Sequence, residues 1–333
     1  MSLLEARNLK IYFKTFVGLS RVVEDVNFKL ERGENLALVG ESGSGKTTVL
    51  KTILGVLPPN AIVEGQLLFR GEDLLRKSQE VLSKLRGTEL TYIPQEPLAA
   101  LNPFYTIEEH FKDRLLLSGK PEIGVTSYLF KMRRKITEEH REIMLKYLEK
   151  VKIPDPDRVL KSYPIQLSGG MLQRVLIALA IVSNPSILLA DEPTTALDVI
   201  TQKEILELLR GLQRDMSMSI IYVTHDLGVA RSIADKIIVM YAGHVVEEGS
   251  ADKVLHDPLH PYTKGLVDSI PKLIGGELKG IEGGLINYVN PPRGCRFHPR
   301  CPYAKGICRE RRPPPTLFGN RKVFCWLYGG EKQ

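Results

Sequence analysis

Residues 40–48 read Gly-Glu-Ser-Gly-Ser-Gly-Lys-Thr-Thr. Gly40, Gly45, Lys46 and Thr47 stand at the defining positions of a G-x-x-x-x-G-K-T loop. The apolar run Leu36-Ala37-Leu38-Val39 before it reads as a buried strand, and Thr48 to Leu57 after it reads as a helix. Strand, glycine loop and helix together form a cradle for phosphate. The glycines let backbone N–H groups turn inward, and the positive end of the helix dipole faces the same anion. In such a loop the residues 40–48 surround the phosphates, Lys46 reaches the β- and γ-phosphates, and the Thr47 hydroxyl ligates Mg²⁺.

A second apolar strand, Ser186 to Ala190, ends in the adjacent carboxylates Asp191 and Glu192. At a strand end beside a phosphate loop, Asp191 suits a Mg²⁺ ligand and Glu192 suits a group that polarises the attacking water. The stretch Leu167-Ser168-Gly169-Gly170-Met171-Leu172-Gln173 precedes an apolar helix, Val175 to Val182. A Ser-Gly-Gly at a helix start offers a hydroxyl and free N–H groups to a second phosphate.

These blocks resemble the nucleotide-binding subunit of an ABC transporter, and most closely the ATPases of dipeptide/oligopeptide import. The resemblance covers nearly the whole chain. Its Walker A maps onto Gly40–Thr48 (Gly40, Glu41, Ser42, Gly43, Ser44, Gly45, Lys46, Thr47, Thr48), and its Walker B onto Ile187–Asp191. Its signature motif maps onto Leu167–Gln173, and its D-loop onto Ala196-Leu197-Asp198. The resemblance makes Glu192 the catalytic carboxylate and His225 the switch residue that contacts the γ-phosphate. It makes Gln95 the loop glutamine that senses γ-phosphate or Mg²⁺. Phe13 is placed as the adenine-stacking aromatic, with Tyr12 and Phe16 as neighbours able to substitute. In isolation, Gln95 would be an ordinary loop residue and His225 a structural histidine.

The chain has 333 residues, 43% of them hydrophobic and 26% charged, ordinary for a globular protein. No apolar stretch reaches the ~18–20 residues that span a bilayer. The N-terminus lacks the basic start and apolar block of a signal peptide. The formal net charge is +7, and residues 291–333 hold ten Lys/Arg against two Asp/Glu, so the rest is near neutral. A basic tail can bind nucleic acid, but this one has another explanation.

All four cysteines lie there, as Cys295-x5-Cys301-x6-Cys308-x16-Cys325. Without an export signal, disulfides are disfavoured. Four thiolates can bind zinc or an iron–sulfur cluster, and the lack of a C-x2-C pair argues against a simple zinc knuckle. The resemblance extends through Asn290-Pro291-Pro292 and Pro299-Arg300-Cys301-Pro302 to members of which some carry a [4Fe–4S] cluster, so it implies such a cluster on the four cysteines, with zinc or no metal as the alternatives.

The fold class expected is an α/β P-loop ABC ATPase, with a parallel-sheet core, an antiparallel β subdomain, a helical subdomain and a small cysteine-rich C-terminal domain. The expected boundaries are 1–255 for the ATPase, with a helical subdomain at about 97–170, and 256–333 for the extension. Amphipathic positions Ile143, Leu145, Tyr147, Leu148 and Val151 mark one helix of that subdomain. The resemblance implies MgATP hydrolysis that energises import of di- or oligopeptides. It also implies a second, non-identical ATPase subunit, two membrane permease subunits docking near Pro97–Tyr105, and indirectly a solute-binding protein. The site would then be peripheral, at the cytoplasmic face of the cell membrane, with no nucleic acid bound. The same architecture serves oligosaccharides in some importers, and soluble ABC ATPases form a more distant rival.

Overall fold

The computed structural model describes residues 2–117, 137–270, 281–284 and 286–329. Residues 118–136 of the expected helical subdomain and 271–280 of the expected extension lie outside these residues. The chain divides into two compact units, residues 1–75 with 222–333, and residues 76–221.

In the first unit, β1 (Leu4–Thr15), β2 (Gly18–Leu30), β4 (Ala61–Phe69) and β5 (Glu72–Asp73) form an antiparallel sheet in the order β2-β1-β4-β5. β1 and β2 are long strands, of 12 and 13 residues. The reason is a bulge. Leu4 and Ala6 are buried, then Leu9 and Ile11, so the two-residue alternation slips by one. The slip falls where the register shifts and Asn8 takes a φ of +48°. An extra residue there restores the same buried face without ending the strand.

The same unit holds β3 (Asn35–Val39), buried throughout, which pairs in parallel with β9 (Lys236–Tyr241). A strand covered on both faces reads as a continuous apolar run. Antiparallel pairing continues through β10 (His244–Ser250), β12 (Arg321–Val323) and β11 (Thr316–Phe318). The C-terminal extension thus contributes two strands to the sheet that carries β3. Helices α1 (Lys46–Leu54), α8 (Leu227–Ile233), α9 (Ala251–His256), α10 (Pro261–Asp268) and α11 (Gly306–Glu310) complete the unit. Tyr241, Tyr262 and Phe297 pack together with centroid distances of 4.7, 5.0 and 5.4 Å, in one core with Val39, Val246 and Leu255. The extension's Phe297 therefore shares a core with the strand that precedes the phosphate loop.

The second unit contains α2 (Gln79–Leu85), β6 (Leu90–Ile93), α3 (Ile107–Leu117), α4 (Glu138–Lys150), α5 (Pro156–Leu160), α6 (Gly169–Ile181), β7 (Ile187–Asp191) and α7 (Val199–Met216). Its strands β6 and β7 are parallel, and β8 (Ser219–Thr224) returns the chain to the first unit. On α4 the buried stripe is Met144, Tyr147 and Leu148, continued by Val151 just beyond the helix, with Ile143 and Leu145 at its margins. This i, i+3, i+4, i+7 spacing is the core face of a helix. Met144, which the sequence reading passed over, takes the place expected for Leu145.

Candidate functional site

The phosphate loop lies between β3 and α1. Gly40 has a φ of +157°, and a β-carbon there would stand 2.1 Å from the Met240 carbonyl oxygen. Gly45 caps α1 in the left-handed region, with φ +98°, which only glycine adopts freely. Lys46 is buried and folds back over the loop. Its Nζ donates to the carbonyls of Gly40 (2.7 Å) and Glu41 (2.9 Å) and to Ser44 Oγ (3.3 Å). Ser42 and Gly43 are exposed, while Thr47 and Thr48 are half-buried at the helix start. The arrangement fits a polyphosphate, because a cation and a helix N-terminus sit at one short loop.

His225, in the same unit, is exposed just past β8. Asp226 beside it caps α8, accepting from Gly228 N (2.6 Å) and Val229 N (3.4 Å). Phe13 is half-buried within β1, opposite Ser20 and Ala61. Tyr12 spends its hydroxyl on Glu24 (3.3 Å), and Phe16 is fully exposed at the tip of the β1–β2 hairpin.

In the second unit, Asp191 ends β7 with 3% of its surface exposed. Tyr92 of β6 donates its hydroxyl to Asp191 Oδ2 at 2.9 Å. Burial, and then the negative charge of Asp191, push the Tyr92 pKa upward, so the phenol stays a donor. Glu192 takes a φ of +46°, an uncommon conformation for a residue with a β-carbon. Its Oε2 accepts from Gln95 Nε2 (3.4 Å) and Thr195 Oγ1 (3.2 Å). The structure thus brings Gln95, Asp191 and Glu192 to the ends of two adjacent parallel strands.

The signature stretch and the D-loop also meet inside this unit. Ser168 caps α6 through Met171 N (3.4 Å). A β-carbon on Gly170 would stand 2.8 Å from Thr201 Cγ2, and one on Gly169 3.5 Å from Leu197 Cδ2. Asp198 caps α7, accepting from Ile200 N (3.1 Å), Thr201 N (3.0 Å) and Thr201 Oγ1 (2.7 Å). The backbone bond from Thr201 is the leading cause of its lowered pKa. Tyr92 and Thr195 were not singled out in the sequence. Tyr92 lies 99 residues from Asp191, and no spacing motif spans such a gap.

All four cysteines are free thiols. Burial is the main cause that pushes the Cys295 thiol up to about 12, and the charges of Cys308, Cys325 and Cys301 push it the same way. Even so, among the described residues no group of three or more His, Cys, Asp or Glu side chains is arranged to hold a metal ion. The described residues thus do not show the expected [4Fe–4S] ligand set. No helix of the described residues is long and apolar enough to cross a membrane.

The profile of the ABC transporter family matches residues 23–195, and that of the oligopeptide/dipeptide transporter C-terminal region matches residues 246–308. The chain is 42% identical over 329 residues to the dipeptide transport ATP-binding protein DppD of Bacillus subtilis, covering 97% of this chain and 94% of that protein. It is 43% identical over 331 residues to the oligopeptide transport ATP-binding protein OppD of the same organism, covering 98% and 88% respectively. Among solved structures, a dimeric ATP-binding cassette in a post-hydrolysis state with ADP and phosphate matches at a TM-score of 0.62 and 30% identity, covering 74% of this chain and 98% of the cassette.

Proposed function

Because the chain belongs to the ABC transporter family, in the branch that carries the oligopeptide/dipeptide transporter C-terminal region, we propose that it hydrolyses MgATP to energise peptide import. The observation that carries this is the β7 terminus, where Glu192 is held by Gln95 and Thr195 beside the buried Asp191.

MgATP supplies the phosphoryl group and the cation that neutralises its charge. The residues 40–48 hold the phosphates through backbone N–H groups. Lys46 would exchange its loop carbonyls for phosphate oxygens, Thr47 would hold Mg²⁺, and the family reading assigns Gln95 and Asp191 as its further ligands. Glu192 orients or deprotonates the attacking water, and His225 fixes the γ-phosphate. Ser168, Gly169, Gly170 and Asp198 serve the ATP site of a second subunit, so two sites form between two ATPases. Phe13 stacks on adenine, and comparison of Phe13→Ala with Phe16→Ala in MgADP titrations separates it from its exposed neighbour. Most of the catalysis is positioning and charge stabilisation.

The domain reading follows the same family: an ATPase at 1–255, with a helical subdomain at about 97–170, and an extension at 256–333. The exposed Leu98 and Phe104 support docking of a permease at Pro97–Tyr105. A peripheral position at the cytoplasmic face, two permease subunits and a solute-binding protein complete the reading. The finer proposal of a [4Fe–4S] centre on Cys295, Cys301, Cys308 and Cys325 rests on their confinement to one basic segment. Iron and labile sulfide in anaerobically purified protein test it, and stoichiometric zinc or neither metal overturns it.

Glu192→Gln tests the catalytic assignment. It should bind ATP yet lose 10²-fold or more in steady-state hydrolysis, about 2.7 kcal/mol on the barrier. Near-normal turnover would remove Glu192 from this role. Purification of the whole transporter should yield a second, non-identical ATPase, and two copies of this chain alone would contradict that pairing.

A further inference from the structure

Glu41, the second residue of the phosphate loop, is gripped by the C-terminal extension at two of its three polar groups. Arg300 forms a two-pronged pair with its carboxylate, Nη1 to Oε2 at 2.7 Å and Nη2 to Oε1 at 3.1 Å. The Glu41 backbone N–H donates to Tyr262 Oη at 2.9 Å. Its carbonyl accepts from Lys46 Nζ, 2.9 Å away, and from Ser44 N, 3.1 Å away. Two residues on, the Gly43 carbonyl accepts from the Tyr288 hydroxyl.

The gripping residues are themselves fixed. Tyr262 is wholly buried in the aromatic core, and the Arg300 side chain is 9% exposed. Arg300 also donates Nε to Glu282 O (2.7 Å) and Nη2 to Ile281 O (2.8 Å). A β-carbon on Gly283 would stand 2.8 Å from Arg300 Cγ, so this turn closes directly onto the arginine stem. Nothing in a phosphate-loop motif calls for such partners, which lie 221 to 259 residues away in sequence.

We infer that the extension is a positioning element for the phosphate loop: Arg300, Tyr262 and Tyr288 fix residues 41–43 in the phosphate-receiving shape and thereby set nucleotide affinity. The inference rests on the reading of residues 40–48 as the nucleotide site. Ordering a loop before its ligand arrives removes that entropy cost from binding. A bidentate arginine–carboxylate pair supplies orientation as well as attraction. Arg300 adjoins Cys301, so the packing of the cysteine segment and the shape of the loop are joined by one peptide bond.

The test is titration of the full chain with MgADP, which is not turned over, together with thermal melting. Arg300→Gln and Glu41→Gln should each weaken MgADP about tenfold, and the double variant should be little weaker than either single. Such non-additivity reports the pair itself. Tyr288→Phe, which removes one hydroxyl, should weaken MgADP by a smaller factor at an unchanged melting temperature, so the test survives if Arg300→Gln fails to fold. Full additivity, or wild-type affinity in folded Glu41→Gln and Tyr288→Phe, overturns the inference. Lys46→Ala separates the two readings. If it abolishes binding while the grip variants bind normally, only the grip fails. If it binds as tightly as the unaltered chain, the site assignment falls and the inference falls with it.

Discussion

Gly40 and Gly43 share the phosphate loop but carry different constraints. Both have positive φ, yet a β-carbon on Gly40 meets the Met240 carbonyl at 2.1 Å, whereas one on Gly43 meets nothing within 4 Å. Gly43→Ala should therefore cost only the left-handed backbone penalty, about 1–2 kcal/mol. Gly40→Ala must move the backbone of β9, and should cost about 3–4 kcal/mol. Denaturant midpoints of the two variants check the order, and equal losses would contradict it. The motif made both glycines legible as loop residues. Which one is pressed against a neighbouring strand was not, because Met240 lies 200 positions along the chain. Glu192 shows the same limit. Its place after an apolar strand was readable, but its left-handed φ and its grip by Gln95 and Thr195 were not.

The extension's strands depend on one buried ion pair. Glu247 of β10 is fully buried and pairs with Arg321 of β12 at 2.9 Å. Its carboxylate also accepts from Leu259 N (3.0 Å) and His260 N (2.9 Å). Removing one member of such a pair strands the other charge in low dielectric, which costs about 3–5 kcal/mol. Arg321→Met should thus destabilise the first unit by that amount and open residues 316–329 to proteolysis. Chemical denaturation and limited digestion measure the two effects, and a wild-type midpoint would contradict the assignment. The sequence showed a basic, cysteine-rich extension in this region but no strand. The strand β12 has three residues, too few for a periodicity, and its pairing is set by the partner that β10 offers. The helix α4 is the opposite case. Its 13 residues carry enough turns for the buried stripe to be read, except for the one-position exchange between Leu145 and Met144.

At the scale of the whole molecule, buried titratable groups set the response to acid. Burial pushes His260 down to about 3 and His244 down to about 4, from 6.5. His260 Nδ1 accepts from Tyr262 N at 3.0 Å, so the neutral ring is the one the fold needs. The His244 ring, with Nε2 3.7 Å from its Oε2, and then the charge of Arg296 hold Glu24 at about 2 against 4.5. All three folded values lie below the unfolded ones. The unfolded chain therefore takes up protons first as pH falls, and stability present near neutrality is lost from about pH 6.5 downward, more steeply below about 4.5. Each titrating group contributes up to about 1.4 kcal/mol per pH unit. Melting temperatures between pH 7 and pH 4 should fall accordingly. His260→Asn, which keeps a capping acceptor but no titrating ring, should flatten the fall, and an unchanged slope would contradict this cause. None of this was visible in the sequence, where these are two histidines and a glutamate among many charged residues. What the sequence determined alone was local: the glycine loop between strand and helix, the carboxylates after an apolar run, and the family these motifs mark. Such signals survive without a fold because they are set by spacing along the backbone. The tertiary structure alone decided which distant side chains enclose them: Tyr92 on Asp191, Gln95 on Glu192, and Arg300 on Glu41. Burial, backbone strain and pairing arise only when segments far apart in the chain displace the same water.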